Sequence, residues 1–318
     1  MRLVTLNNAG SRSAGVIVGD NILNLSACST IMGETTSVPT TVRGILEGGQ
    51  PMLDRVRSLE DLAHEGRSGV LDRLRAAGAL FPRASAKLLA PVPDPHLVLS
   101  CGMNYRQHLK EMGGGAVPDK PTAFLKSVNA IVGPDAPIVL PAEHPDMVDW
   151  EAEFCGVIGK RCHNVSAGEA LDYVAGYTMI NDVSARNWVP RIGDLQGLAA
   201  IQAWDLNLLG KQFPSFCPMG PTIATHDEIG NPDNVRFELK VNGTVMQAAC
   251  TDDLAFNLAA LIAYYSKWHV FQPGDVISTG SPAGVGMGCK PWVFLKAGDV
   301  VTLSADGIGI MTNPVVAG

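Results

Sequence analysis

The chain has 318 residues, 46% hydrophobic and 17% charged, with a net charge of −7. That is enough apolar material for one large domain or two smaller ones. The acidic balance shows no basic stripe, which argues against nucleic-acid binding, and no apolar run of about eighteen residues exists to span a membrane.

The first residues lack the apolar stretch of a signal peptide. Seven cysteines lie scattered at 28, 101, 155, 162, 217, 250 and 289 with no Cys-x-x-Cys. Neither a disulfide framework nor a thiolate zinc site is expected, and a reduced, cytoplasmic setting is the default. Short strands are expected over 2–6, 15–18 and 22–25, with a turn at 19–21. Helical spacing follows over 42–46, 52–62 and 70–76. Three prolines within 91–95 read as an extended connection and a domain boundary.

Beyond it, residues 97–100 form a short apolar strand leading to His108 and Glu111. Three apart on a helix, these two share a face, and a carboxylate beside an imidazole orients it as a general base. A surface pair has the same spacing. Gly113, Gly114 and Gly115 follow, as a hinge or an ordinary flexible loop. Strands are expected over 121–126, ending at Lys126, and over 138–140.

The segment 148–158 reads as a strand, with Glu151 and Glu153 on one face. Adjacent carboxylates repel and are poor strand formers, so a hard divalent cation with oxygen ligands is one compensation. A solvated face of an antiparallel sheet is the other reading. Asp182, ending the apolar run 177–181, is the candidate third carboxylate. Ser166 and Glu169 form a capping-box pattern that predicts a short helix to about 174. Residues 187–202 read as a loop over a site, and 218–221 as turn-rich. Residues 234–247 read as a hairpin turning at Asn242-Gly243. Thr251 is placed to cap a helix over 252–267. A strand then enters the glycine-rich loop 280–286, which fits no phosphate-binding fingerprint and presents Ser281. A last strand covers 300–303.

Five segments in order resemble the fumarylacetoacetate hydrolase superfamily. They are Gly102 to Glu111 (Gly-Met-Asn-Tyr-Arg-Gln-His-Leu-Lys-Glu), Asp149-Trp-Glu-Ala-Glu153, Gly176-Tyr-Thr-Met-Ile-Asn-Asp-Val-Ser-Ala-Arg186, Gly210-Lys-Gln-Phe213, and the run from Gly274 to Gly286. The resemblance spans roughly residues 98–310. It implies a mostly β (α+β) architecture: a rolled-sheet catalytic domain over 96–318, preceded by a small α+β domain over 1–90, in a homodimer. It implies Mg²⁺ or Mn²⁺, with Ca²⁺ able to stand in, on Glu151, Glu153 and Asp182. It makes His108 and Glu111 the catalytic dyad, with Lys211 also catalytic. Arg186, Lys211, Ser281, Tyr105 and Lys126 become substrate contacts. Asn187 and Val189 depart from the family pattern, which carries Asp and a substrate-reaching Gln there; Gln196 or Gln202 are the candidate replacement amides.

The implied reaction is hydrolysis of a C–C bond in a 2,4-dioxo acid, an acylpyruvate-like product of aromatic ring cleavage, with the ion as electron sink for the pyruvate enolate. His108 would deprotonate water. An isomerase or decarboxylase of an oxo or dienoate dicarboxylate is the alternative on the same site, and a non-enzymatic dicarboxylate binder is the third reading. The expected partner is a small anionic keto acid. Cys101 and Cys155 are read as small hydrophobes, and His144 and His163 as surface groups.

Overall fold

A computed structural model describes residues 1–8, 10–33, 37–66, 68–192 and 195–318. The architecture is the sheet-rich α+β one expected. One large mixed sheet runs from the N-terminal strands into the middle of the chain. Arg2–Asn8, Ser11–Val18, Asn21–Asn24 and Leu80–Pro82 pair antiparallel in sequence order. The free edge of Arg2–Asn8 then pairs with Cys217–Thr225, so the sheet continues without a break. The proline-rich tract is packed rather than loose: Ala90 and Val92 are buried, and Thr5 donates to the Pro91 carbonyl at 2.6 Å.

The central strand is Ala152–Ile158, between Val174–Asn181 and Val276–Ser278. Every one of its residues is buried, because the helix Leu258–Tyr265 covers one side. Gly156 is what admits that helix: a Cβ there would stand 2.7 Å from Leu258 Cδ2. A strand buried on both faces carries no apolar–polar alternation. A second, five-stranded sheet is built from Thr244–Cys250, Arg236–Val241, Val300–Ala305, Gly309–Ala317 and Ile138–Leu140. The expected hairpin is there, with Asn242 and Gly243 both at positive φ. The helices Val42–Glu47, Gly49–His64 and Ser68–Ala76 follow the expected spacing.

Several expectations fail for identifiable reasons. Residues 187–202 are not a plain loop: Val189–Ile192 and Leu198–Leu209 are helical, with 193–194 outside the described residues. The second helix, Leu-Ala-Ala-Ile-Gln-Ala-Trp-Asp-Leu-Asn-Leu-Leu, is rich in helix formers but apolar nearly all round, so it shows no amphipathic period. Residues 218–221 lie inside the fully buried strand Cys217–Thr225. The register shift opposite Tyr177 and Met179 takes up the proline that cannot donate to the ladder. The helix expected from 252 begins at Leu258, capped by Asn257 accepting from Ala260 N; Thr251–Asp253 is only a 3₁₀ turn. The Ser166–Glu169 contact forms at 2.6 Å, yet only the 3₁₀ turn Ala170–Tyr173 follows. Among the described residues no helix is long and apolar enough to cross a membrane.

Candidate active site

The site lies where two neighbouring central strands end together. Ala152 pairs with Asn181, which places Glu151 and Asp182 just past the two ends. The backbone locks them there: Asp182 N donates to Glu151 O at 2.8 Å, and Glu151 N donates to Asn181 Oδ1 at 2.9 Å. The expected strand is in fact interrupted at Trp150 and Glu151. Glu153 still reaches the same point, and one oxygen from each of Glu151, Glu153 and Asp182 lies within 4.8 Å of the others. All three are buried.

Three cations close on this cluster. Lys211, just past the helix Leu198–Leu209, donates to Glu151 at 2.8 Å, Asp182 at 2.6 Å and Ser184 Oγ at 2.8 Å. Lys126 pairs with the other oxygen of Asp182. Arg186 donates through Nε to Asp149 at 3.1 Å and through Nη2 to Glu151. Pairing of Val148–Asp149 with Ser184–Ala185 sets Arg186 beside Asp149. Burial works against the charged form of Glu151, but Lys211 and Arg186 hold its carboxyl well below the usual range. Glu153 is different. Its contacts are hydroxyls, Ser100 Oγ at 2.9 Å and Ser278 Oγ, brought side by side by the parallel pairing of their strands. Burial, then the charges of Asp182 and Glu151, push its carboxyl well above the usual range.

These residues fit a hard dication. The donors are oxygen only, and the unbalanced charge sits among them. Asp149, Glu151, Glu153 and Asp182 oppose Lys126, Arg186 and Lys211, four carboxyls against three cations. A divalent ion brings that sum to one positive charge, which suits an anionic ligand.

The dyad stands on the helix Arg106–Glu111. His108 Nδ1 meets Glu111 Oε2 at 2.8 Å, and Glu111 Oε1 accepts from Gly284 N at 2.9 Å. The glycine-rich loop thus fixes the carboxylate that fixes the imidazole, leaving Nε2 free. Asn104 anchors the helix start, donating to the Phe256 and Thr279 carbonyls at 3.0 and 2.9 Å.

A cavity of about 220 Å³ joins these parts. Glu151, Glu153, Asp182, Arg186, Lys211 and His108 form its ionic side; Phe124, Met112, Met287, Trp188 and Trp204 form its apolar side. Ser281 also lines it, accepting from Gln247 Nε2 at 3.0 Å. A larger groove of about 740 Å³ contains neither the carboxylates nor the dyad.

Two expected substrate contacts are not on the cavity wall. Tyr105 is fully buried in the core with its hydroxyl 3.4 Å from Thr279 Oγ1, because the residue before the dyad helix bridges to Leu254. Lys126 stands behind Asp182, bonded also to the Val183 carbonyl at 3.3 Å. Neither glutamine lines this cavity: Gln196 is exposed, and Gln202 faces an adjoining groove with His144, which shares Trp188 with the cavity. Cys101 does line the cavity, but burial, aided by Glu153, pushes its thiol up to about 12, so it is no thiolate nucleophile. His144 and His163 are exposed.

The residues not anticipated are Asp149, Ser100, Ser278, Gln247, Trp188 and Asn207. Asp149 accepts from Gly286 N at 2.6 Å and Met287 N at 3.2 Å, tying Arg186 to the glycine-rich loop. It lies inside the acidic motif, which was its available signal; a lone Gln or Ser in a strand offers none.

The fumarylacetoacetate hydrolase C-terminal family matches residues 98–316. Oxaloacetate tautomerase fahd2, mitochondrial, of Xenopus laevis is 39% identical over 320 residues, covering 99% of this chain and 90% of the relative. Among solved structures, 5-carboxymethyl-2-hydroxymuconate delta-isomerase from Mycobacterium smegmatis is 31% identical with a TM-score of 0.70, covering 100% of this chain and 99% of that one. Maleylpyruvate hydrolase from Sphingobium sp. SYK-6, in complex with manganese(II) and pyruvate, is 28% identical with a TM-score of 0.70, covering all of both chains.

Proposed function

The chain belongs to the fumarylacetoacetate hydrolase family, and from that premise we propose that it is a divalent-metal-dependent tautomerase of a small 2-oxo dicarboxylate such as oxaloacetate. The observation that carries the reading is a single oriented base, His108 on Glu111, sharing one small cavity with a three-carboxylate cluster. Tautomerisation needs one proton moved between C3 and the C2 oxygen, and one base suffices. The name of the 39% identical frog relative points the same way.

Glu151, Glu153 and Asp182 would hold Mg²⁺ or Mn²⁺, which supplies Lewis-acid polarisation of the 2-oxo group. The rest belongs to the chain. Lys211 and Arg186 keep Glu151 ionised and leave the site positive enough for a dianion. Glu111 accepts a hydrogen bond from Nδ1–H, so His108 Nε2 takes the C3 proton and passes it to the C2 oxygen, and carries it back from oxygen to C3 when the enol ketonises. Met112, Met287 and the two tryptophans line the cavity beside the C3 position.

Hydrolysis of an acylpyruvate is the second reading. The same Nε2 can take a proton from water instead, and the manganese- and pyruvate-bound relative is named a hydrolase. The chain acting as a homodimer in a reducing compartment, the cytoplasm, belongs to this proposal; the described cysteines form no disulfide, which suits such a setting, while the frog relative is named mitochondrial. Stripped protein reloaded with Mg²⁺ or Mn²⁺ should be offered enol-oxaloacetate and acylpyruvates, with products identified by NMR. Metal-dependent ketonisation without C–C cleavage supports the tautomerase. Pyruvate plus a carboxylic acid replaces it with the hydrolase.

A further inference from the structure

Two buried polar atoms beside the cavity have no partner among the described residues. Trp188 Nε1 and Asn207 Oδ1 are shielded from solvent and have no hydrogen-bond partner among the described residues. A buried donor or acceptor left unsatisfied costs free energy, so such groups in a folded chain call for a ligand or water. Both residues line the cavity that holds the carboxylate cluster, and Asn207 is 6% exposed. Their placement is built rather than incidental. Trp204 and Asn207, three apart on the helix Leu198–Leu209, share the face that lines the cavity. Trp204 in turn holds Trp188 edge-on, with ring centroids 5.9 Å apart at 83°.

The rest of the lining decides what these groups are for. Among the described residues lining the cavity, the basic side chains are His108, Arg186 and Lys211. Arg186 and Lys211 are each already tied to two carboxylates, and His108 to Glu111. A ligand whose 2-oxo acid end lies at the carboxylate cluster therefore finds no uncommitted cation for its other end. It finds an indole N–H and a side-chain amide set among Phe124, Met112 and Met287.

We propose that Trp188 and Asn207 are specificity-determining residues that hold the oxygen-bearing end of the substrate remote from the carboxylate cluster. Trp188 donates its indole N–H to that end, and Asn207, on turning its amide to put Nδ2 where Oδ1 stands, donates beside it. The pair selects ligands long enough to reach both ends of the cavity. The assignment rests on the 2-oxo dicarboxylate reading of the site.

The test uses the Mg²⁺-loaded full chain with Trp188→Phe, which keeps the ring against Trp204, and Asn207→Leu, which keeps the volume. Calorimetry measures binding of oxalate, which spans only the ionic side, and of malate, a four-carbon dicarboxylate that does not enolise. KM and kcat are read with oxaloacetate. Each substitution should weaken malate and raise the oxaloacetate KM by about tenfold, the loss of one hydrogen bond to a charged group, with oxalate affinity unchanged. Parallel loss of oxalate and malate, no loss of either, or no malate binding to the wild-type chain would overturn the assignment. A malate-selective loss in a chain that does not turn over oxaloacetate would leave the clamp standing and sink the tautomerase reading. Turnover with unchanged KM and malate affinity in both variants would do the reverse.

Discussion

Gly288→Ala tests how the dyad is held without touching either of its members. A Cβ at Gly288 would lie 2.4 Å from Glu111 Oε1, 2.5 Å from Cδ and 3.0 Å from Cγ. Those distances are too short, and Glu111 is the group free to move. Moving it breaks the 2.8 Å contact to His108 Nδ1 and the 2.9 Å bond from Gly284 N. A hydrogen bond to a charged group contributes about 1.5–3 kcal/mol, and about 1.4 kcal/mol is tenfold in rate. The expected fall in kcat is therefore about tenfold to about 100-fold. Gly288 is not in the left-handed region, so alanine adds no backbone strain, and a loss of about 1.5–3 kcal/mol should lower the melting temperature by about 3–12 °C. The assay is steady-state kcat and KM at saturating Mg²⁺, beside a thermal melt. Glu111→Gln should show a comparable loss, and the double variant little more than either, because both remove one interaction. Full kcat in Gly288→Ala, or additive losses in the double variant, would refute the reasoning.

Other consequences follow from the same geometry. Lys211→Met leaves Glu151 and Asp182 without their shared ammonium. Breaking a buried pair costs about 3–5 kcal/mol, so the metal-free melting temperature should fall sharply and Mg²⁺ should restore more of it than in the wild type; equal metal shifts in both chains would count against the charge balance described here. Gly156→Ala drives a Cβ to 2.7 Å from Leu258 Cδ2 and should cost about 1–3 kcal/mol in urea unfolding, with kcat of the folded fraction unchanged. The raised carboxyl of Glu153 gives a pH dependence of known sign. Above its unfolded value of about 4.3, the metal-free folded chain binds a proton that the unfolded chain has lost. Metal-free stability therefore declines as pH rises until the folded carboxyl ionises. Mg²⁺ must displace that proton, so its apparent affinity should climb over the same window; calorimetry in buffers of different ionisation enthalpy reads the released proton, and a pH-independent affinity would exclude it.

The functional half of the site was legible because its chemistry is crowded into short motifs. Glu151 and Glu153 sit two apart, His108 and Glu111 three apart, and Asp182 ends an apolar run. What escaped was whatever depends on distant strands. Glu153 is satisfied by Ser100 and Ser278 only because their strands pair in parallel. Tyr105 carries the polarity of a substrate contact but is carried into the core by its bridge to Leu254. The helix Leu198–Leu209 was invisible to periodicity because it has almost no polar face, and with it Asn207 was missed. The strand Cys217–Thr225 was hidden by Pro218, Gly220 and Pro221, whose local preference for turns is overridden by burial between two strands.

The central claim is that a carboxylate-held divalent ion and the His108 base act together on a 2-oxo acid. The most direct measurement follows the ultraviolet absorbance of enol-oxaloacetate as it ketonises, in the Mg²⁺-loaded wild-type chain and in His108→Ala, with metal binding checked by calorimetry in both. The account predicts rapid, chelator-sensitive decay in the wild type and a loss of about 10²–10⁴ in His108→Ala, with metal affinity retained. Equal rates in the two chains, or decay unaffected by stripping the metal, would contradict it.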